Sequence, residues 1–183
     1  MLDADFPHIL QAARTGEEWA WTSIYRDLSP TVLGYLRAQR ASEPEDLTGE
    51  VFFQVVRDLP RFEGTERDFR AWVFTIARNR LVDEGRRRAR RPVELAIEVP
   101  ASADESADVE AQVLRTAASE RVRRIIEQLG PEQRDVLLLR VLGDLTVEEV
   151  AQVVGKSPGA VKALQRRGLE TISRALSREG VTL

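Results

Sequence analysis

Apolar residues return every three or four positions through most of this chain, and no stretch alternates in the manner of a half-buried strand. That periodicity predicts an all-α protein. Residues 17–38 read as a helix or helix pair with the stripe Trp19, Ile24, Leu28, Val32, Leu33 and Leu36, and Pro30 marks a break or restart. Ser42-Glu-Pro-Glu offers a helix start, with proline tolerated in the first turn. The helix after it buries Leu47, Val51, Val55 and Leu59, with Phe52 and Val56 beside them, and Pro60 ends it. A polar loop over 61–68 leads into a helix from Phe69 to about Arg88, which turns Trp72, Val73, Ile76, Leu81 and Val82 to a core. From Pro92 to about Ala107 the pattern dissolves. It is clear again from Glu120, with Val122, Ile125, Ile126 and Leu129. Gly130-Pro131 interrupts it, Val136, Leu137, Val141 and Leu142 resume it, and Gly143 is expected as a left-handed cap.

The last third holds the sharpest local signal. Thr146-Val-Glu-Glu149 is a capping box, with a threonine cap and a glutamate three residues on. Val147, Val150, Ala151 and Val154 form the buried face of that short helix. Gly155 suits the positive φ of a tight turn, and Ser157-Pro158 restarts a helix as N-cap and first helical residue. Its buried stripe is Val161, Leu164, Gly168, Ile172 and Leu176. A short helix, a glycine turn and a second helix make a helix-turn-helix, whose second helix enters the DNA major groove. Gly159, Lys162, Ala163, Arg166 and Arg167 point away from the core, where basic side chains can meet phosphates or guanine edges. An ordinary two-helix corner with a solvated basic face is the plainer reading of the same pattern.

Charge is distributed unevenly. The net charge of −3 hides two basic blocks: residues 61–91 hold ten arginines against five acids, and residues 155–178 hold six basic residues against Glu170. Between them, 92–118 carries six acids and Arg115 alone as a base. Because fields are screened beyond about 10 Å, these local blocks matter more to nucleic-acid binding than the whole-chain balance. The absence of cysteine excludes disulfides, thiolate metal sites and cysteine nucleophiles. The one histidine, His8, reads as a solvated side chain. No carboxylate pair, nucleophile–base pair, metal cluster or phosphate-binding glycine loop emerges, so neither enzymatic activity nor a cofactor is expected. No apolar run reaches the roughly 18 residues of a membrane span, and no basic-then-apolar leader opens the chain. A cytoplasmic protein without membrane insertion is therefore expected. The segment before Glu17 and the tail after Arg178 carry no motif that could be read.

The N-terminal half separates the possible helix-turn-helix proteins. The run Asp46-Leu-Thr-Gly-Glu-Val-Phe, then Leu59-Pro-Arg-Phe62, then Phe69-Arg-Ala-Trp-Val-Phe-Thr-Ile-Ala-Arg-Asn-Arg-Leu-Val-Asp83 and Arg86-Arg-Arg resembles the second conserved domain of extracytoplasmic-function (ECF) sigma factors. Leu129-Gly-Pro, Leu145-Thr-Val-Glu-Glu-Val-Ala and Val161-Lys162 resemble their fourth domain. The resemblance covers about residues 17–91 and 119–178. It implies a sigma domain 2 over 1–91, an acidic linker over 92–118 and a sigma domain 4 over 119–183.

It also implies partners: core RNA polymerase, through the clamp helices of its largest subunit and its flap, promoter DNA, and an anti-sigma factor. Asp46, Glu50 and Gln54 would dock on the polymerase, although Gly49 stands where glutamine is usual. Arg61, Phe62, Arg78, Asn79, Arg86 and Arg87 would serve the −10 element, Asn79 at a base edge and Arg78 at a phosphate, with Arg88, Arg90 and Arg91 extending the basic tail. Trp72 could join them or belong to the core. Lys156, Ser157, Lys162, Arg166 and Arg167 would serve the −35 element, although Ala163-Leu164 replaces the common serine-arginine. The linker would thread the polymerase cleft, or act as a plain tether. The competing reading is a non-sigma helix-turn-helix regulator of duplex operators.

Overall fold

Helices account for all the regular structure in a computed structural model of the chain, which describes residues 5–90 and 120–178. They are α1 (Phe6–Arg14), α2 (Glu18–Ala38), α3 (Pro44–Asp58), α4 (Glu66–Arg90), α5 (120–127), α6 (Pro131–Val141), α7 (Val147–Val154) and α8 (Pro158–Arg178), with a 3₁₀ turn at Leu59–Arg61. The expected linker and the C-terminal tail lie outside the described residues.

In the first half, α2, α3 and α4 bury most of the predicted stripes, although Val56 of α3 is 49% exposed. Ile24, Leu28, Val32 and Leu36 of α2 meet Val51 and Val55 of α3 and Val73, Phe74 and Ala77 of α4. Pro30 does not break α2. Its ring is exposed, and the buried residues continue at spacings of four on both sides of it, so packing holds the helix together where one backbone hydrogen bond is lost. Trp19 also departs from expectation: it is 44% exposed and lies against the exposed ring of His8, with centroids 5.3 Å apart. The N-terminal segment forms α1, which buries Phe6, Ile9, Leu10 and Ala13. Between α2 and α4 a shielded ion pair joins Arg70 to Asp27 at 2.7 Å.

In the second half the capping box is formed as read. Thr146 Oγ1 accepts from Glu149 N at 3.2 Å, and Glu149 Oε2 accepts from Thr146 N at 2.6 Å. Gly155 sits at φ 67°, ψ 38°, and Ser157 Oγ accepts from Ala160 N at 3.2 Å. Gly143 departs from expectation. The left-handed residue after α6 is Asp144, at φ 52°. Gly143 is required for space instead, because a Cβ there would lie 2.5 Å from the carbonyl oxygen of Leu139. Gly168 permits the close approach of α8 to α6, its missing Cβ position being 2.7 Å from Leu137 Cδ1.

The two halves touch. Their buried residues form one continuous apolar cluster running from Phe6 to Leu164. α4 packs on α7 and α2 on α6, Leu142 Cδ1 comes within 3.6 Å of the position a Gly34 Cβ would take, and ion pairs cross the junction.

Candidate nucleic-acid and polymerase interface

The −35 candidates lie on the helix-turn-helix as the sequence indicates. Val161 and Leu164 anchor α8 in the core, which leaves Lys162, Arg166 and Arg167 exposed on the opposite side. Arg166 reaches along its own helix to Glu170 at 3.2 Å with both side chains more than half exposed, a contact worth only a few tenths of a kcal/mol. Ser157 is spent on the cap, and Lys156 pairs with Glu132 at 2.7 Å. That cation holds the Glu132 carboxyl below its ordinary range. What the face offers is a row of cations on a fixed helix.

The −10 candidates divide. Asn79, Arg86, Arg87, Arg88 and Arg90 are exposed on α4, and Arg61 is exposed in the 3₁₀ turn before the loop. Arg86 leans to Asp83 at 3.3 Å and Arg88 to Glu84 at 3.6 Å. Phe62 is turned inward. Its ring is 8% exposed, stacks on Trp72 at 5.1 Å and meets Phe69 edge-on at 5.2 Å. In this conformation Phe62 is the floor of the 62–65 loop and no open stacking platform, since burying three rings together outweighs exposing one. Arg14 of α1 donates to the Phe62 carbonyl, so the N-terminal helix braces the loop. Gly64, at φ 148°, and the bonds from Thr65 N and Oγ1 to Asp68 Oδ2 (2.8 and 2.7 Å) shape its turn into α4.

Arg78 is the exception among the arginines. It is half-buried, and its Nε donates to Asp135 Oδ2 of α6 at 2.7 Å. The other oxygen of Asp135 accepts from Tyr35 Oη at 2.7 Å and Gln39 Nε2 at 3.1 Å. Burial, then the Asp135 charge, raises the Tyr35 phenol well above its ordinary value and keeps it a donor. Three turns earlier, in the first turn of α4, Arg67 holds Glu149 of α7 at 3.1 Å. Tyr35, Gln39 and Arg67 were not singled out in the sequence, because nothing in their local pattern reveals a partner a hundred residues away.

The polymerase candidates lie on α3. Asp46 and Glu50 are exposed one turn apart. Arg80 of α4 ties Glu50 (3.5 Å) and Gln54 (3.0 Å) together. Asp46 and Glu50 line a cleft of about 520 Å³ with Glu84, Arg87, Arg88 and Arg90. Phe53, 71% exposed, adds an apolar point to the same helix. Gly49 faces open space, so Gly49→Ala should stabilise the chain by about 1 kcal/mol in denaturant titration, through helix propensity alone.

Among the described residues no helix is long and apolar enough to cross a membrane, and no cluster suited to a metal ion occurs. The sequence matches the family model of sigma-70 region 2 over residues 24–91 and that of sigma-70 region 4 over residues 119–172. The helical pair of regions, ending in a helix-turn-helix with a cationic outer face, defines a sigma-70-type transcription initiation factor. Among curated proteins, the chain is 34% identical over 171 residues to the ECF RNA polymerase sigma factor BldN of Streptomyces coelicolor, covering 92% of this chain and 64% of BldN. It is 33% identical over 181 residues to the ECF RNA polymerase sigma factor ShbA of Streptomyces griseus, covering 93% and 94%. The chain belongs to the ECF sigma factor family. Its fold is like that of CnrH, solved in complex with the cytosolic domain of CnrY, with a TM-score of 0.65 at 22% identity over 93% of this chain and 96% of that one. An ECF sigma factor directs core RNA polymerase to promoter DNA, which decides against the operator-binding regulator.

Proposed function

We propose a division of labour for this sigma factor. Residues 1–91 dock on the polymerase clamp helices through Asp46, Glu50 and Gln54, and serve the −10 element through Arg61, Arg78, Asn79, Arg86 and Arg87. Phe62, backed by Trp72 and Phe69, gives the loop its aromatic floor. Residues 92–118 thread the polymerase cleft as an acidic strand. Residues 119–183 read the −35 element through Lys162, Arg166 and Arg167, with Lys156 and Ser157 at the helix entrance, and meet the flap. The chain performs no covalent chemistry and works in the cytoplasm under an anti-sigma factor. The sigma factor RpoE of Bartonella quintana, whose fold is like this one and which was solved with the anti-sigma factor NepR, supports that last point by analogy of fold alone.

The observation that carries this reading is the exposed cationic face of α8, fixed by a formed capping box, a left-handed glycine and a serine cap. The test is single-round transcription with purified core polymerase on a pooled promoter library. Transcripts that depend on the protein and share upstream −35 and −10 motifs are the expected result. Duplex binding by the chain without any gain of initiation by core would sink the reading.

A further inference from the structure

The contact at Asp135 has an asymmetry that bears on DNA. Three donors converge there, Tyr35 from α2, Gln39 at its C-cap and Arg78 from α4, and all belong to the first half of the chain. The acceptor belongs to the second half. Tyr35 is fully buried, with its ring edge-on to Phe74 at 5.7 Å, so its hydroxyl is aimed by packing. A shielded group of donors that draws its acceptor from another domain is built for an oxyanion, because leaving such donors unpaired is unfavourable. The ligand class follows from where it lies. Arg78 adjoins the exposed Asn79, and the basic run Arg86–Arg90 follows on the same helix. Residues eleven apart on an α-helix fall within roughly 20° of one another, about 16 Å along the axis. Arg67 and Arg78 are so spaced, and each holds a carboxylate from the second half, Glu149 and Asp135. One stripe of α4 is thus matched by two anions.

We propose that Tyr35, Gln39 and Arg78 form a cradle for a backbone phosphate of promoter DNA, and that Asp135 fills this cradle when the two halves of the chain are closed on each other. The proposal rests on the assignment of α4 to DNA given above and extends it to Tyr35 of α2 and the Gln39 that caps it. Asp135 is then an intramolecular competitor of DNA: the carboxylate takes the same donors, and the DNA strand must displace it. Arg67 and Glu149 form the second point of the same closure.

The test uses the full chain without polymerase and a fluorescein-labelled, mixed-sequence single strand of DNA, followed by anisotropy over a range of salt. Asp135→Asn and Asp135→Ala should each bind on the order of tenfold more tightly than the wild type, because the competitor is gone. The log–log salt slope should steepen by about 0.7, the increment of one phosphate on a single strand. Adding Tyr35→Phe or Gln39→Ala to Asp135→Asn should remove most of that gain, while Arg78→Lys should retain the slope and lose part of the affinity. Unchanged affinity and slope in both Asp135 variants would overturn the proposal. A gain in affinity that Tyr35→Phe and Gln39→Ala leave intact would also overturn it, reducing Asp135 to a simple domain latch. The outcome is separable from that of the transcription experiment: wild-type chain that initiates transcription while the Asp135 variants bind as it does removes the cradle alone. Failed initiation with the expected variant behaviour keeps the cradle and removes its promoter assignment.

Discussion

Alanine at Lys162, Arg166 and Arg167 together is expected to weaken promoter binding by the polymerase holoenzyme about 100-fold. Each side chain is exposed on α8, so folding is unaffected apart from the weak Arg166–Glu170 contact. At about 1 kcal/mol per contact the three sum to about 3 kcal/mol, and 1.4 kcal/mol is a factor of ten. Salt dependence separates the kinds of contact. If all three meet phosphates on duplex DNA, the log–log slope flattens by about 2.7. Loss of affinity at constant slope would instead assign them to base edges. Wild-type binding by the triple variant would remove α8 from the DNA altogether.

Phe74→Ala should produce the largest loss of stability of any change considered, about 3–5 kcal/mol. Phe74 is fully buried where α4 crosses α2 and meets Tyr35 edge-on. For a chain of this length each kcal/mol moves the melting temperature by about 2–4 °C, so the shift is on the order of ten degrees. Calorimetry of the wild type and the variant measures it. A shift under about 3 °C would mean that the α2–α4 core collapses around the deletion.

The helices with strong stripes were legible because burial writes itself into the spacing of side chains. α3, α7 and α8 follow their apolar periods, and the Thr146, Gly155 and Ser157 boundaries are fixed by local backbone chemistry. α1 was missed although Phe6, Ile9, Leu10 and Ala13 keep helical spacing; the window is only nine residues long and has no side-chain cap. At Pro30 the sequence leaves one helix or two open, and the continuous buried face decides for one. The local pattern at Gly143 points to a conformational glycine, whereas the constraint is the nearby Leu139 carbonyl, a steric fact that only the fold supplies. The candidate DNA residues divide in the same way. Lys162, Arg166 and Arg167 could be named from the helix wheel. The inward turn of Phe62 and the partners of Arg78 come from tertiary packing, which a local pattern does not encode.

The junction between the two halves also sets how much protein is needed for a given response. Any ligand that requires Arg67 or Arg78 free acts only on the fraction of chains that are open. If closure is favoured by about 1.4 kcal/mol, roughly one chain in eleven is competent, and apparent affinity falls about tenfold below its intrinsic value. On the proposed closure, the contacts at Asp135 and Glu149 would therefore act as a gain setting, scaling the dose at which a promoter responds without altering which promoter is read.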